Sequence, residues 1–412
     1  MKKDLLFAAT EFGIYFTTNG GGKWIKLTGG VPTISFRDIV IQRRESDLVG
    51  ASFGRGYFVL DDITPLREFN TSMTKGSVTL FKTKPAYWYA QRQGVAGQGD
   101  AEYSAKNPPF GAVFTYYMPE KIKSLKDIRK EKEKGLTKEN ASIPFPGWDA
   151  IEAENRQEKP TIMLTIKDAQ GNLVNTVKGT NKQGFNRVAW NLGYTDRSGV
   201  SLTPPRRSMN FFGGGIMATP GTYSVTISKV VDGIVTVVVP AQNFEVIPLA
   251  EGALKGASYE EINAFRLEYQ TFQQDLKATN NVLATSLKKI DAMGRALAKA
   301  NQPSNELVAK LYKTKMQLLD IQKDMSGDRT KGEIGERSNP TPNDARRMGG
   351  VALGNTYGPT ANQIGAFNRA VNQLAEQKIE IKKVSGVTIP ALEKELKATG
   401  APWIEGQGLI EN

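Results

Sequence analysis

Neither cysteine nor histidine occurs in the 412-residue chain. That double absence removes disulfides, thiolate nucleophiles, Ser-His-Asp triads and any zinc or copper site built on imidazole or thiolate. Only carboxylate, hydroxyl or lysine chemistry remains. Long apolar runs are missing too: the longest, around Ile234 to Val239, falls far short of the roughly 20 residues of a membrane helix. At the amino terminus the run Leu5 to Ala9 meets Glu11 and is shorter than the roughly 7–15 residues of an export-signal core. No export signal is therefore expected within this chain, and no cofactor is implied by any motif. What is present is ordinary for a globular protein, with 39% hydrophobic and 23% charged residues, which excludes a collagen-like or wholly disordered chain. The net charge of +12 favours anionic neighbours without naming one.

At about 150 residues per domain, the length predicts two to three domains. The fold class read from the periodicity is multidomain β plus α. Residues 1–66 alternate with a strand period: Leu5 to Ala9, Gly13 to Phe16 and Trp24 to Leu27 are separated by turn residues, and Arg37 to Ile41, Leu48 to Ser52 and Gly56 to Leu60 follow. The stretches LLFAATEFGIYFTT and LVGASFGRGYFVLDD share one layout about 43 residues apart, close to the period of about 40–50 residues seen in propeller blades. Residues 67–250 continue in strands, VTLFK, GAVFTYYM, TIMLTIKD, NRVAWNL, TYSVTISKV and VTVVVPAQNFEVI, the pattern of a β-sandwich. Two inserted loops, 121–158 and 198–220, interrupt them. Over 256–400 the period lengthens: Ser258-x-x-Glu261 opens a helix of about 40 residues, Leu307 to Met325 mark a returning helix, a loop spans 327–359, and Thr360-x-x-Gln363 caps a third helix. Gly386 and Pro390 break it before a short fourth helix. The apolar stripes predict an antiparallel helical hairpin or bundle.

The most specific local signal is Thr17-Thr18-Asn19-Gly20-Gly21-Gly22-Lys23-Trp24. It resembles the Asp-box, or bacterial neuraminidase repeat, of β-propellers. An Asn or Asp side chain accepts turn amides and Gly permits positive φ. Thr17, Asn19, Gly21 and Trp24 are thus structural, with Trp24 covering the hairpin base and Asn19 standing where that family prefers Asp. Gly50 to Asp62 is similar to the strand pair that ends the propeller in large exported sortilin-like and xyloglucanase-like proteins, with Phe53 in place of their usual His. Gly54, Arg55, Gly56, Asp61 and Asp62 are the closure residues this resemblance implies: Arg55 pairing with a carboxylate, Asp61 and Asp62 holding a cation or capping the exit turn. Asn107 to Val113, Phe185 to Leu192 and Pro220 to Tyr223 resemble the Ig-like sandwich that follows the propeller in those proteins, and Gly400 to Trp403 their carboxyl-terminal signature.

The resemblance implies a non-catalytic, exported or cell-surface protein, periplasmic, outer-membrane-associated or extracellular. It would act in peptide, glycan or protein binding, or as scaffold of an envelope complex. Residues 1–66 amount to less than two blades. A blade buries both faces against neighbours, so either another polypeptide is expected to supply the rest of the ring, the favoured reading, or this chain is a fragment of a longer one. The alternative is the carboxyl-terminal part of a glycoside hydrolase whose catalytic acids lie in upstream blades. Glu11, Asp38, Asp61 and Asp62 are the acids near blade ends, and none sits in a catalytic motif. Lys121 to Lys138 mixes Lys with Glu without aromatics, which suits a solvated surface or contact with an acidic protein or lipopolysaccharide better than nucleic acid.

Overall fold

The structure, a computed structural model, describes residues 2–91, 105, 107–197, 199–200, 202, 216–336, 340–345 and 353–408. Most of the expected loop 198–220 lies outside them. The fold is mixed β plus α and divides into two units. A β unit takes its residues from Met1–Trp88, Gly94–Thr195 and Pro220–Leu249, and a helical unit from Tyr89–Gln93, Asp196–Thr219 and Ala250–Asn412.

Short alternating strands separated by glycine turns open the β unit. Strands β1 (Leu6–Thr10), β2 (Gly13–Thr17) and β3 (Ile25–Lys26) form one antiparallel sheet, and β4 (Phe36–Gln42), β5 (Asp47–Ser52) and β6 (Tyr57–Leu60) a second. The inward faces of both sheets meet in a core of Ile14, Phe36, Leu48 and Ile63, with Phe7, Ala9, Phe58 and Leu60 packed around it. Gly50 allows this approach: a Cβ there would lie 2.7 Å from Ile14 Cδ1 and 3.0 Å from the Phe36 ring, closer than carbon atoms pack.

The remaining strands build two further sheets. In one, β7 (Thr79–Leu80), β9 (Ala112–Met118) and β12 (Gly184–Trp190) run in the order β12-β9-β7. In the other, β8 (Ala86–Trp88), β10 (Thr161–Asp168), β11 (Leu173–Gly179), β13 (Gly221–Val231) and β14 (Ile234–Pro248) run in the order β11-β10-β13-β14-β8. All pairs are antiparallel except β8 with β14. The period of two in β10 puts Ile162, Leu164 and Ile166 wholly inside. The two sheets meet through aromatic side chains: Trp190 lies 5.3 Å from Tyr223 and 6.0 Å from Phe244, and Phe114 lies 5.2 Å from Phe244, centroid to centroid.

Between β9 and β10 the segment 121–158, expected as a loop, folds instead into an arm of two helices, α2 (Leu125–Lys138) and α3 (Trp148–Arg156), numbered after the short α1 (Thr64–Glu68). Ser124 and Asp127 form a reciprocal capping box at the start of α2, so the helix signal is local and was hidden by the density of charge. Lys121 Nζ sits 2.9 Å from Asp127 Oδ2. This bond, with those from the Ser124 amide and hydroxyl, holds the Asp127 carboxyl down at about 2, and the Arg129 guanidinium likewise lowers Glu154. A carboxylate with a depressed native pKa stabilises fully above its unfolded value and loses that contribution as pH falls through the native one. Arm helicity, followed by circular dichroism, is therefore expected to be constant above about pH 5 and to fall between about pH 4 and pH 2. In the variant Asp127→Asn the part of that loss centred near the lower end is expected to disappear.

The helical unit contains α4 (Tyr259–Leu297), α5 (Asn305–Ser326), α6 (Arg329–Glu333), α7 (Ala361–Lys383) and α8 (Ile389–Ala398). Capping boxes at Ser258/Glu261 and Thr360/Gln363 start α4 and α7. Phe265, Tyr269 and Phe272 of α4 cluster on Phe367 of α7 at 5.4–5.9 Å. Arg266 is also fully buried, its Nη1 donating to Met217 O at 2.8 Å and its Nη2 to Asn355 O at 3.2 Å. The break expected at Gly386 and Pro390 does not occur. A π-helical turn at Val384–Thr388 carries α7 into α8, because a widened turn tolerates the proline ring and its missing amide where an α-turn would clash. No helix among the described residues is long and apolar enough to cross a membrane.

Candidate functional site: an open sheet face

Register places three rows of side chains on the outer face of the β4-β5-β6 sheet. Val40 pairs with Val49 and Val49 with Val59; Asp38 pairs with Ala51 and Ala51 with Tyr57; Gln42 pairs with Asp47 at one end. Directly paired residues share a face, so the valines form one ladder across all three strands. It is open to solvent: Val40 is 59%, Val59 54% and Tyr57 78% exposed. Beyond Ser52, Phe53 is exposed under the Arg37 guanidinium, 5.2 Å from its ring centroid. β4 and β6 are both edge strands of this sheet, which leaves rows of backbone donors and acceptors facing outward.

The turn after β2 is closed by its own side chains. Thr17 Oγ1 donates to Asn19 Oδ1 at 2.8 Å and accepts from the amide of Gly21 at 3.1 Å, while Asn19 Oδ1 accepts from the Lys23 amide at 2.9 Å. Gly21 has φ +103°. Thr17 is wholly buried, whereas Trp24 is exposed over nearly half its surface, so it shields only part of the hairpin base. Asn19 thus makes the turn bonds expected of it.

The residues marked for closure divide between two places. Gly54 and Gly56, φ +75° and +76°, shape the β5–β6 turn, where Ser52 Oγ donates to Gly56 O at 2.9 Å. Arg55 in that turn is exposed and makes no ion pair among the described residues. Asp61 and Asp62 sit beyond β6. Asp62 Oδ1 accepts from the Thr64 amide at 3.1 Å and lies 3.2 Å from Lys84 Nζ, while the Asp62 amide donates to Asp47 Oδ1 at 2.8 Å. Burial, and then the Asp47 carboxylate, push Asp61 above the ordinary carboxyl range, against the pull of Arg187. Among the described residues no group of three acidic side chains is placed to hold a metal ion.

Two latch residues carry no signal in the sequence. Arg187 of β12 donates to Asp61 O at 2.8 Å and Asp62 O at 3.1 Å, and Lys84 donates to Glu45 O. All three bonds span more than 38 residues, so neither spacing nor motif announces them. In the helical unit a shallow groove of about 330 Å³ is floored by Phe272, Phe367 and Leu374 and crossed by the Asp275–Lys378 ion pair at 2.6 Å. Glu268 also lines it, so its walls carry two carboxylates against one ammonium. Compared with known proteins, the chain matches no family model, no curated protein and no solved structure.

Proposed function

We propose that this chain is a non-catalytic binding or scaffold component of an exported or cell-surface assembly. Its first two sheets are propeller blades of the sortilin-like kind, and the paired sheets behind them an Ig-like sandwich. Another polypeptide completes the blade ring over the valine ladder of β4, β5 and β6. The exposed ladder carries this reading. A valine row across three strands is the surface a sheet buries under a neighbouring layer, not one it turns to water.

The repeat adds support. The hairpins β1–β2 and β5–β6 are the repeated pair, yet β3 extends the first beyond β2 while β4 extends the second before β5. A complete repeat unit accordingly has four strands, the number in a propeller blade, and each sheet displays three. The position after β6 that corresponds to β3 is an open edge beside the exposed ladder. A strand of the partner paired to β6 would satisfy both. Of the four acids near the blade ends, Glu11 lies 3.0 Å from Arg37 and Asp62 3.2 Å from Lys84.

The isolated chain is expected to self-associate in sedimentation velocity through this face. Val59→Lys is expected to return it to a monomer with an unchanged melting temperature, and to weaken its retention in the native assembly by about tenfold or more. In that assembly the β6 amides are expected to gain hydrogen-exchange protection. A wild-type chain that stays monomeric, with β6 amides exchanging equally fast alone and in the assembly, would overturn the proposal.

A further inference from the structure

The two-helix arm contributes nothing to a core: neither α2 nor α3 buries a residue. It is held together by ions instead. Arg129 grips Glu154 in a bidentate pair at 2.6 and 2.9 Å and reaches Glu133 at 2.6 Å. Its root is tied to the sheet by reciprocal bonds between Ile122 and Asn181, each 2.8 Å. Gln157 at the other end reaches Asp232 at 2.9 Å.

Charge on α2 is sorted in an unusual way. Its three acids each pair with a nearby cation, Asp127 with Lys121, Glu131 with Lys123 at 2.5 Å and Glu133 with Arg129, which it shares with Glu154 of α3. Lys126, Lys130, Lys134 and Lys138 recur every fourth residue, which aligns them along one stripe of the helix. All four are exposed, and none makes an ion pair among the described residues. At the tip, opposite the root, the link Ile143-Pro144-Phe145-Pro146-Gly147 leads into Trp148. Phe145 is 61% and Trp148 77% exposed, and the two rings stack edge to face 5.0 Å apart. Ile143 beside them is exposed as well.

We propose that this arm is a peripheral membrane anchor, with Phe145 and Trp148 entering the headgroup–acyl boundary of an anionic bilayer while the lysine row of α2 meets lipid phosphates. An exposed aromatic pair next to a row of cations is the arrangement by which helical segments lie in a membrane interface. Trp suits that boundary because its ring is apolar and its N–H polar. The row is made of lysines, mobile point charges suited to a diffuse anionic surface. The planar forks that a shaped carboxylate partner would need are both engaged within the arm, Arg129 by Glu154 and Arg156 by Glu152. Since no described helix can cross a bilayer, attachment of this kind would be peripheral. The inference is independent of the open sheet face.

The test is co-sedimentation of the full chain with vesicles of phosphatidylcholine alone or mixed with phosphatidylglycerol. Binding is expected only to the anionic vesicles and is expected to be lost at about 0.5 M salt, where screening shortens to a few ångströms. The quadruple variant Lys126→Gln, Lys130→Gln, Lys134→Gln, Lys138→Gln and the double variant Phe145→Ala, Trp148→Ala are each expected to weaken it at least about tenfold. Tryptophan emission is expected to shift blue on binding, and this shift to shrink in Trp148→Phe. Because these side chains are exposed, melting curves of the variants should superimpose on wild type. Equal binding to neutral vesicles, unchanged binding by either variant, or capture by soluble polyglutamate as tight as by vesicles would overturn the proposal, the last by assigning the row to an acidic polypeptide.

Discussion

Replacing Trp190 by alanine is expected to remove about 4 kcal/mol from the stability of the β unit, the largest single-residue effect anticipated in this protein. Trp190 ends β12 inside the core, with Tyr223 and Phe244 stacked on one another beside it and its Nε1 donating to Gly193 O at 2.8 Å. Truncation leaves a cavity where the two sheets meet and cannot be refilled by neighbours on rigid strands. The chain passes so tightly here that a Cβ on Gly111 would lie 2.0 Å from the Trp190 carbonyl oxygen, so relaxation by backbone movement is blocked. Urea denaturation followed by circular dichroism measures the loss. A value under about 1 kcal/mol would show that the two sheets do not share one core.

Arg266→Ala is expected to cost the helical unit about 3 kcal/mol, because two charge-assisted bonds to half-buried main-chain carbonyls vanish together with the packing of a fully buried side chain. The guanidinium bridges Met217 and Asn355 from the buried stripe near the start of α4, a position where the periodicity calls for an apolar side chain. Arg266→Lys keeps the charge but cannot span two acceptors in different directions, so it is expected to recover less than half of the loss. Arg266→Met as stable as wild type would mean that the side chain acts only through its aliphatic stem. The melting transition of the helical unit, resolved by calorimetry, distinguishes these outcomes.

Where neighbours in sequence decide the structure, it was legible. The capping boxes of α4 and α7 lie at the residues that spacing marked, and the alternation in β10 matches its buried side. The bonds of the Thr17–Lys23 turn are those its composition demands. Legibility fails where partners are remote or the apolar signal is thin. β11 sends only Val174 fully inward, too little alternation to mark a strand, and β8 gains its place by pairing in parallel with residues more than 150 positions later. Arg187 reads as one of many surface cations until β12 brings it under Asp61 and Asp62. The buried Arg266 hides in the same way, since a helical stripe read by hydropathy passes over it. The arm was hidden for the opposite reason: the Ser124 to Asp127 spacing was visible, but no apolar periodicity follows it.

Asn181 gives the arm a property of its own. Its side-chain amide holds the Ile122 backbone at 2.8 Å on the way out and reaches the Pro160 carbonyl at 3.4 Å on the way back. One residue therefore clasps both ends of the excursion where it leaves β9 and returns to β10. Because closing a longer loop adds little entropy, the span between those ends is a cassette. It can be lengthened, shortened or exchanged over generations without the framework having to adapt.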